Sequence, residues 1–457
     1  MKSLLLLSGL GVLSLLAEIF NFKKWLFPAV IVGLVATIGV AVKDWNTNIH
    51  YYSDMMVFNN FAICFTVLIC CIALLWFFMS QSYFTEETNV TDHFALVLFS
   101  LVGAVCMLSY NNMAMLFLGI EILSLSLYVM AGSKKNSLLS NEAALKYFLM
   151  GSFATGFLLF GIALIYGATG SFHLSKIAEF VVESKGQIPT FFYGGVLMML
   201  IGLSFKVSAA PFHFWAPDVY EGSPTVVTAF MATIVKTAAF AAFFRLFSTC
   251  FIGVSGIWTD VVAIMCVLTL LIGNITAVYQ QNTKRMLAFS SVAHAGYMLL
   301  AIVSLSKFSG STILFYTAAY SVATIAAFTV LYNVMQGAGD AVESFNGLSK
   351  RNPFAAFVMT VALLSLAGIP PMAGFFAKYY IFTAAIEAHY TWLVIVAVFA
   401  SLIGVYYYFR IIIAMYFKPA KSSEAMVIST AHHILLIATL ILTIALGAMP
   451  NWLIRLI

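Results

Sequence analysis

The chain is divided, almost end to end, into apolar runs of about 20 residues, the length at which a helix crosses the hydrocarbon of a bilayer. Fourteen such spans are read from the sequence: 3–20, 25–42, 57–79, 93–109, 112–132, 144–168, 191–210, 224–249, 257–279, 286–306, 311–336, 353–386, 390–417 and 430–449. Inside lipid every backbone polar group needs an internal partner, so a chain built this way folds as a bundle of membrane helices. The connections are short. The longest, around Gly170–Thr190, is too short and too mixed to fold alone, so a single all-α membrane domain over 1–457 is expected. Composition agrees, with 63% hydrophobic and 9% charged residues against roughly 45–50% and 25% in soluble proteins, and a mean hydropathy of +1.02. A net charge of +5 over 457 residues gives no reason to expect a nucleic-acid partner; the lipid bilayer is the expected surrounding. No G-x-G-x-x-G loop or Walker A sequence suggests a nucleotide site. The six cysteines (Cys64, Cys70, Cys71, Cys106, Cys250, Cys266) form no C-x-x-C pair, so no iron–sulfur cluster, zinc site or disulfide scaffold is indicated. Met1-Lys2 and the apolar run to Phe20 resemble a signal peptide. The run is nevertheless long enough to span and lacks a small-x-small cleavage site, so a retained first helix is expected.

Three lysines, Lys206, Lys236 and Lys378, lie deep within these spans, and Glu121 lies mid-helix in the fifth. A lysine near the bilayer centre costs from about 3 to more than 10 kcal/mol, so it persists mainly where it faces protein or a wet path. Snorkelling rescues lysines near helix ends, and these sit further in. If Glu121 and Lys206 approach each other, desolvation and mutual attraction oppose one another, and the pair becomes a switchable proton site. The alternative is a static salt bridge between the fifth and seventh spans. Lys236 is read as functional, or else as satisfied by backbone carbonyls at a neighbouring helix break. Lys378, seven residues past Pro371, either belongs to the same row or sits nearer the outer surface. His294, inside the tenth span, can donate and accept at once and so pass a proton; a hydrogen-bonded core histidine is the competing reading. His213 is expected to be structural or near the surface. Glu142 and Lys146 read as an interfacial i,i+4 pair, with a coupling role for Glu142 as the alternative, and His432-His433 cannot both face one metal on a helix.

Two spans are interrupted. The seventh leads through Lys206 into Ala209-Ala210-Pro211, and the twelfth contains Gly368-Ile369-Pro370-Pro371 before Lys378. Proline removes an amide donor and clashes with the preceding turn, so both helices should break. Spans 4–8 (93–249) and 9–13 (257–417) each hold five helices, with the broken, lysine-bearing one fourth in each. Because five is odd, the second block enters inverted, which is a transporter architecture with ion sites near the midplane. Residues 1–92 supply three further helices and 430–457 a last one.

Basic residues in the connections give the orientation. Lys23, Lys24, Lys134, Lys135, Lys146, Lys284, Arg285, Lys350, Arg351, Arg410, Lys418 and Lys421 fall on one side. Lys2, Lys43, Lys176, Lys185, Arg245, Lys307 and Arg455 fall on the other. The bias places both termini outside.

The run Phe205-Lys206-Val207-Ser208-Ala209-Ala210-Pro211-Phe212-His213-Phe214-Trp215-Ala216-Pro217-Asp218-Val219-Tyr220-Glu221-Gly222-Ser223-Pro224 resembles the signature of the antiporter-like subunits of respiratory complex I. Lys284-Arg285-Met286-Leu287-Ala288-Phe289-Ser290-Ser291-Val292-Ala293-His294-Ala295-Gly296-Tyr297 and Ala367-Gly368-Ile369-Pro370-Pro371-Met372-Ala373-Gly374-Phe375 do so as well. The resemblance covers essentially the whole chain. It is nearest the N-type branch, on the fourteen spans, the lack of a long lateral C-terminal helix, and lysine at 378. The resemblance implies a proton relay in which Glu121 matches the family's fifth-helix glutamate and Lys206 its seventh-helix partner. Lys236 then matches the connecting lysine of the eighth helix, His294 a polar residue of the central axis, and Lys378 the terminal lysine of the twelfth. It further implies no cofactor in this chain, with NADH, FMN, iron–sulfur clusters and the quinone pocket on partner subunits. The neighbours it implies are an M-type antiporter-like subunit and small K/J/A-type subunits. A subunit of a multi-subunit cation/proton antiporter, a stand-alone solute transporter and a purely structural subunit are the competing readings.

Overall fold

The structure is a computed structural model that describes residues 1–86, 90–184, 187–420 and 425–456; side chains 85 and 86 are not described, and Lys185 and Lys421 of the charge tally lie outside the described residues. Among the described residues, twelve helices are long and apolar enough to cross a membrane, and Thr190–Lys206 and Pro353–Ala367 are shorter apolar helices. These two are the seventh span and the first half of the twelfth, so each of the fourteen spans is represented by helix.

The sequence-based limits are corrected in several places. The third span runs over Asn60–Glu86 and the sixth over Leu138–Thr169, both longer than their apolar centres. The twelfth is two helices, Pro353–Ala367 and Ala373–Glu387. The polar connection after the second span folds into a hairpin, with Ile49–Tyr51 antiparallel to Met56–Phe58. The Gly170–Thr190 connection holds an amphipathic helix, Leu174–Glu183, which buries Leu174, Ile177 and Val181 on one 3.6-residue face.

Three spans form the centre: Thr225–Thr249, Thr283–Ser304 and Ser309–Ala338 are buried all round, whereas the first two spans are only 28% buried. A helix that is apolar on every side belongs either in a core or in lipid; these three occupy the core, and they include the ones bearing Lys236 and His294. Local signals set their starts. Asn112, Asn282 and Asn352 cap the fifth, tenth and twelfth spans, each accepting from a backbone amide at 2.9 Å. Pro353 stands at the first turn of the last of these.

Within 4–8 and 9–13 the same partnerships recur. The fourth span packs on the fifth as the ninth does on the tenth, and the sixth packs on the seventh as the eleventh does on the first half of the twelfth. Glycine sets the close approach of helices beside Glu121 and His294. A Cβ at Gly119 would lie 2.9 Å from the Gly103 carbonyl oxygen, and one at Gly296 would lie 2.8 Å from Leu270 Cγ.

Candidate functional site

The two helix breaks share one backbone geometry. Ser208 (φ +61) and Gly368 (φ +83) are left-handed, and each stands three residues before a cis proline, Pro211 and Pro371. In the first break Ala209 N–H donates to Ser204 O (2.9 Å) and Phe212 N–H to Ala209 O (2.8 Å). In the second, Ile369 N–H donates to Leu364 O (3.0 Å) and Met372 N–H to Ile369 O (3.2 Å). Three further bonds to side chains help satisfy the freed groups, as a break inside a membrane requires. Ala210 N–H donates to Thr269 Oγ1 (2.8 Å), Trp215 Nε1 to Phe205 O (3.0 Å) and Gly374 N–H to Ser365 Oγ (3.1 Å).

The two lysine-bearing breaks do not carry their lysines at matching positions. Matching Pro211 with Pro371 aligns Lys206 with Leu366 and Lys378 with Asp218. Lys206 is the last residue of the half-helix before its break, whereas Lys378 lies on the half-helix after its own. Yet Lys378 Nζ reaches back to donate to the carbonyl of Ala367, the last residue of the preceding half-helix, at 2.7 Å. Both lysines therefore belong to the carbonyl-rich end of an interrupted helix, where the macrodipole favours positive charge.

Lys206, Lys236 and Lys378 are all buried inside the bundle. Their amines end on neutral oxygens. Lys206 Nζ donates to Ser124 Oγ (2.6 Å). Lys236 Nζ donates to both the carbonyl and the Oγ of Ser291 (2.6 Å each), not to carbonyls at a break. Lys378 Nζ donates to Ser401 Oγ (2.7 Å) as well as to Ala367 O, and lies 4.6 Å from the Tyr297 ring centre. Glu121 is within electrostatic reach of Lys206, but the two form none of the ion pairs found among the described residues. Its buried Oε1 has no hydrogen-bond partner. Ser124, one turn along the same helix, takes the amine instead, and its own hydroxyl bonds Ile120 O rather than Glu121. The alternative of a static salt bridge between the two is not what the side chains form.

Lys236 follows a π turn, Met231–Val235, in the eighth span. Such wide turns are rare and cluster at functional sites. Nothing in the sequence announced this one, since no glycine or proline stands there. Lys236 meets the tenth span at Ser291, beside the hydroxyls of Tyr220 and Tyr320. The Tyr320 ring packs 4.7 Å from that of His294. His294 Nδ1 is 2.7 Å from the Tyr316 hydroxyl and Nε2 is 3.3 Å from that of Tyr408, which in turn bonds Ser290. A cavity of about 10 Å³ lies between His294, Tyr316 and Tyr320 and the second break at Ser365 and Gly374, close to the smallest volume that holds one water.

A second cluster, at the ends of the spans, was only partly foreseen. Glu142 and Lys146 pair at 2.7 Å, as expected, but Lys146 also pairs with Asp218 at 2.7 Å. Arg285 joins Asp218 (2.9 Å) to Glu221 (2.5 Å), and Asn282 bonds Asp340 (2.6 Å). The buried Lys284 donates to the carbonyls of Glu221 and Ser223, closing the end of the short helix Trp215–Gly222. Burial raises the pKa of Asp218, and the hydrogen bonds from Lys146 and Arg285 outweigh it, holding the carboxyl below its ordinary value. His213 is buried beside the exposed Phe214. Among the described residues no group of three or more His, Cys, Asp or Glu is placed to hold a metal.

Residues 110–404 match the family model described as NADH:quinone oxidoreductase/Mrp antiporter, transmembrane. The chain is 47% identical to NADH-quinone oxidoreductase subunit N of Cytophaga hutchinsonii over 91% of this chain and 90% of the other. It is 44% identical to subunit N of Flavobacterium psychrophilum over the full length of both. A chain of respiratory complex I from Thermus thermophilus with bound aureothin superposes with a TM-score of 0.85 at 31% identity, covering 99% and 98% of the two chains. A chain of the Mrp complex from Dietzia sp. shares the fold, with a TM-score of 0.89 at 20% identity over 99% and 95%. With twelve long apolar helices, two matched breaks and buried lysines, the chain is a multi-pass membrane protein that belongs to the NADH:quinone oxidoreductase/Mrp antiporter transmembrane family.

Proposed function

We propose that this chain is an N-type, proton-translocating membrane subunit of an NADH–quinone oxidoreductase, and that Glu121, Lys206, Lys236, His294 and Lys378 form its relay. The observation that carries the assignment is the end-to-end 44% identity to the Flavobacterium subunit. The relay reading is supported by three buried amines on neutral oxygens, an orientation that a structural salt bridge would not need. Redox energy released in partner subunits changes the electrostatic balance at Glu121 and Lys206. The shift passes to Lys236, through the Ser291, Tyr320 and His294 neighbourhood, and on to Lys378. Electrostatic coupling of His294 to both Lys236 and Lys378 supports that order.

The chain's own residues hold and move protons; NADH, FMN, iron–sulfur clusters and quinone are assigned to partner subunits. An M-type antiporter-like subunit and small K/J/A-type subunits are the neighbours. Residues 93–249 and 257–417 act as inverted five-helix repeats, a reading supported by the shared break geometry. Both termini lie outside, in keeping with the bias of basic residues.

A cation/proton antiporter subunit is the second reading, favoured by the joint description of the family and by the fold shared with the Mrp chain. Purification of the tagged chain from native membranes distinguishes the two. Co-purifying NADH–quinone oxidoreductase activity, with proton uptake into reconstituted vesicles, is expected. Recovery with other hydrophobic subunits but without NADH oxidation would overturn the assignment in favour of the antiporter.

A further inference from the structure

Each lysine of the row ends on a serine hydroxyl: Lys206 on Ser124, Lys236 on Ser291, Lys378 on Ser401. The three serines come from three different spans, so no local sequence pattern produces the coincidence. Their chemistry suits a group that gains and loses charge. An ammonium has three donors and no acceptor, whereas a neutral amine also offers a lone pair. A carbonyl can answer only the donors, and a carboxylate favours the charged form strongly. A hydroxyl can do both, accepting from the ammonium and, after rotating, donating to the amine.

The geometry leaves that rotation available. Ser124 Oγ–H now donates to Ile120 O at 2.5 Å while its lone pair takes Lys206. Ser401 Oγ lies 3.4 Å from Ala367 O, the same carbonyl that Lys378 uses. Ser291 stands beside the hydroxyls of Tyr220 and Tyr320. The other ionisable or charged neighbours at Lys206 are Glu121, the Tyr147 ring and Tyr128, whose hydroxyl reaches Ser124. His294 lies between Lys236 and Lys378, and Tyr297, which reaches Ser401, lies at Lys378.

We propose that Ser124, Ser291 and Ser401 are positioning residues that serve each lysine in both its protonation states by turning one hydroxyl. When the ammonium is present the serine oxygen accepts from it and the hydroxyl proton points to a second acceptor. Once the ammonium proton has passed onward, the hydroxyl turns and its hydrogen bonds to the amine lone pair. The serine itself neither gains nor loses a proton.

The inference rests on the relay reading above. Its test is NADH-driven proton translocation by the assembled complex across a pH series, with Ser→Ala, Ser→Thr and Ser→Val at each site. Threonine keeps the hydroxyl and valine matches its shape without one, so a packing defect strikes both equally. The alanine and valine variants are expected to pump less and to lose pumping at a pH about one unit lower, while threonine restores the original profile. Where an alanine variant fails to assemble, the threonine–valine pair and the other two sites decide. Alanine, valine and threonine variants sharing the parent's pH profile would overturn the inference. A parent complex that does not pump on NADH would overturn the relay reading instead.

Discussion

The two helix breaks have the same backbone and different side-chain solutions. Ser208 and Gly368 turn left-handed at matching points, and the following amides bond to matching carbonyls. Lys206 ends the helix before the first break; Lys378 begins beyond the second and returns to Ala367 O. An acid, Glu121, lies within electrostatic reach of the first amine, whereas Lys378 has Ser401, a carbonyl and the Tyr297 ring. What the breaks have in common is thus a lysine tied to the end of the half-helix before the break, by its backbone in the first and by its amine in the second, not an aligned lysine. At the position that aligns with Lys378, the first half carries Asp218, paired with Lys146 and Arg285. Paired charges hold elements together, whereas amines on neutral oxygens are free to change charge.

The largest effect is expected from destroying one break alone. A Cβ at Gly374 would lie 1.7 Å from Ser365 O, a backbone atom with no room to move. Gly374→Ala should therefore cost about 3 kcal/mol or more and lower the yield of folded complex, with thermal melting as the measure. An unchanged melting temperature would mean that the second break is not packed as described. Next comes the asymmetry in acid. Glu121→Gln keeps the shape and removes the group that can take up or release a proton, so proton translocation should fall by about fivefold or more while the melting temperature holds. Full pumping would show that the first break works like the second, without an acid.

Backbone substitutions sharpen the comparison further. Ser208→Gly relieves a left-handed serine and frees the unfolded chain, two opposed terms that leave a change within about 1 kcal/mol. Gly368→Ala strains φ +83 and brings a Cβ to 2.8 Å from Lys378 Cδ. It should destabilise by more than Ser208→Gly changes stability, with urea or thermal unfolding as the check. The smallest effect is expected at the rim. Asp218→Asn removes half-exposed pairs of the kind worth about 0–1 kcal/mol each. Because the folded carboxyl is held below its ordinary value of 3.8, its contribution is present above that pH and is lost as the pH falls further. Melting measured from neutral to acidic pH should therefore separate parent and variant above about pH 4 and bring them together in strong acid.

Much of this was legible in the sequence, because a bilayer leaves few options: apolar runs gave the spans, and prolines gave both breaks. The buried lysines stood out by their cost alone. Less could be read where distant residues meet. Lys206 and Ser124, or Arg285 and Asp218, are joined only by the packing of the bundle, and a serine inside an apolar helix is too ordinary to flag. The π turn before Lys236 has no glycine or proline to mark it. The ordinal place of a span also does not show which side of its break a side chain leaves, as Lys206 and Lys378 do on opposite sides.

The most direct measurement is the number of protons moved per NADH oxidised by the assembled complex in sealed vesicles, for the parent and for Lys206→Ala. The variant is expected to oxidise NADH yet move clearly fewer protons. A variant that assembles and pumps at the parent's ratio would contradict it.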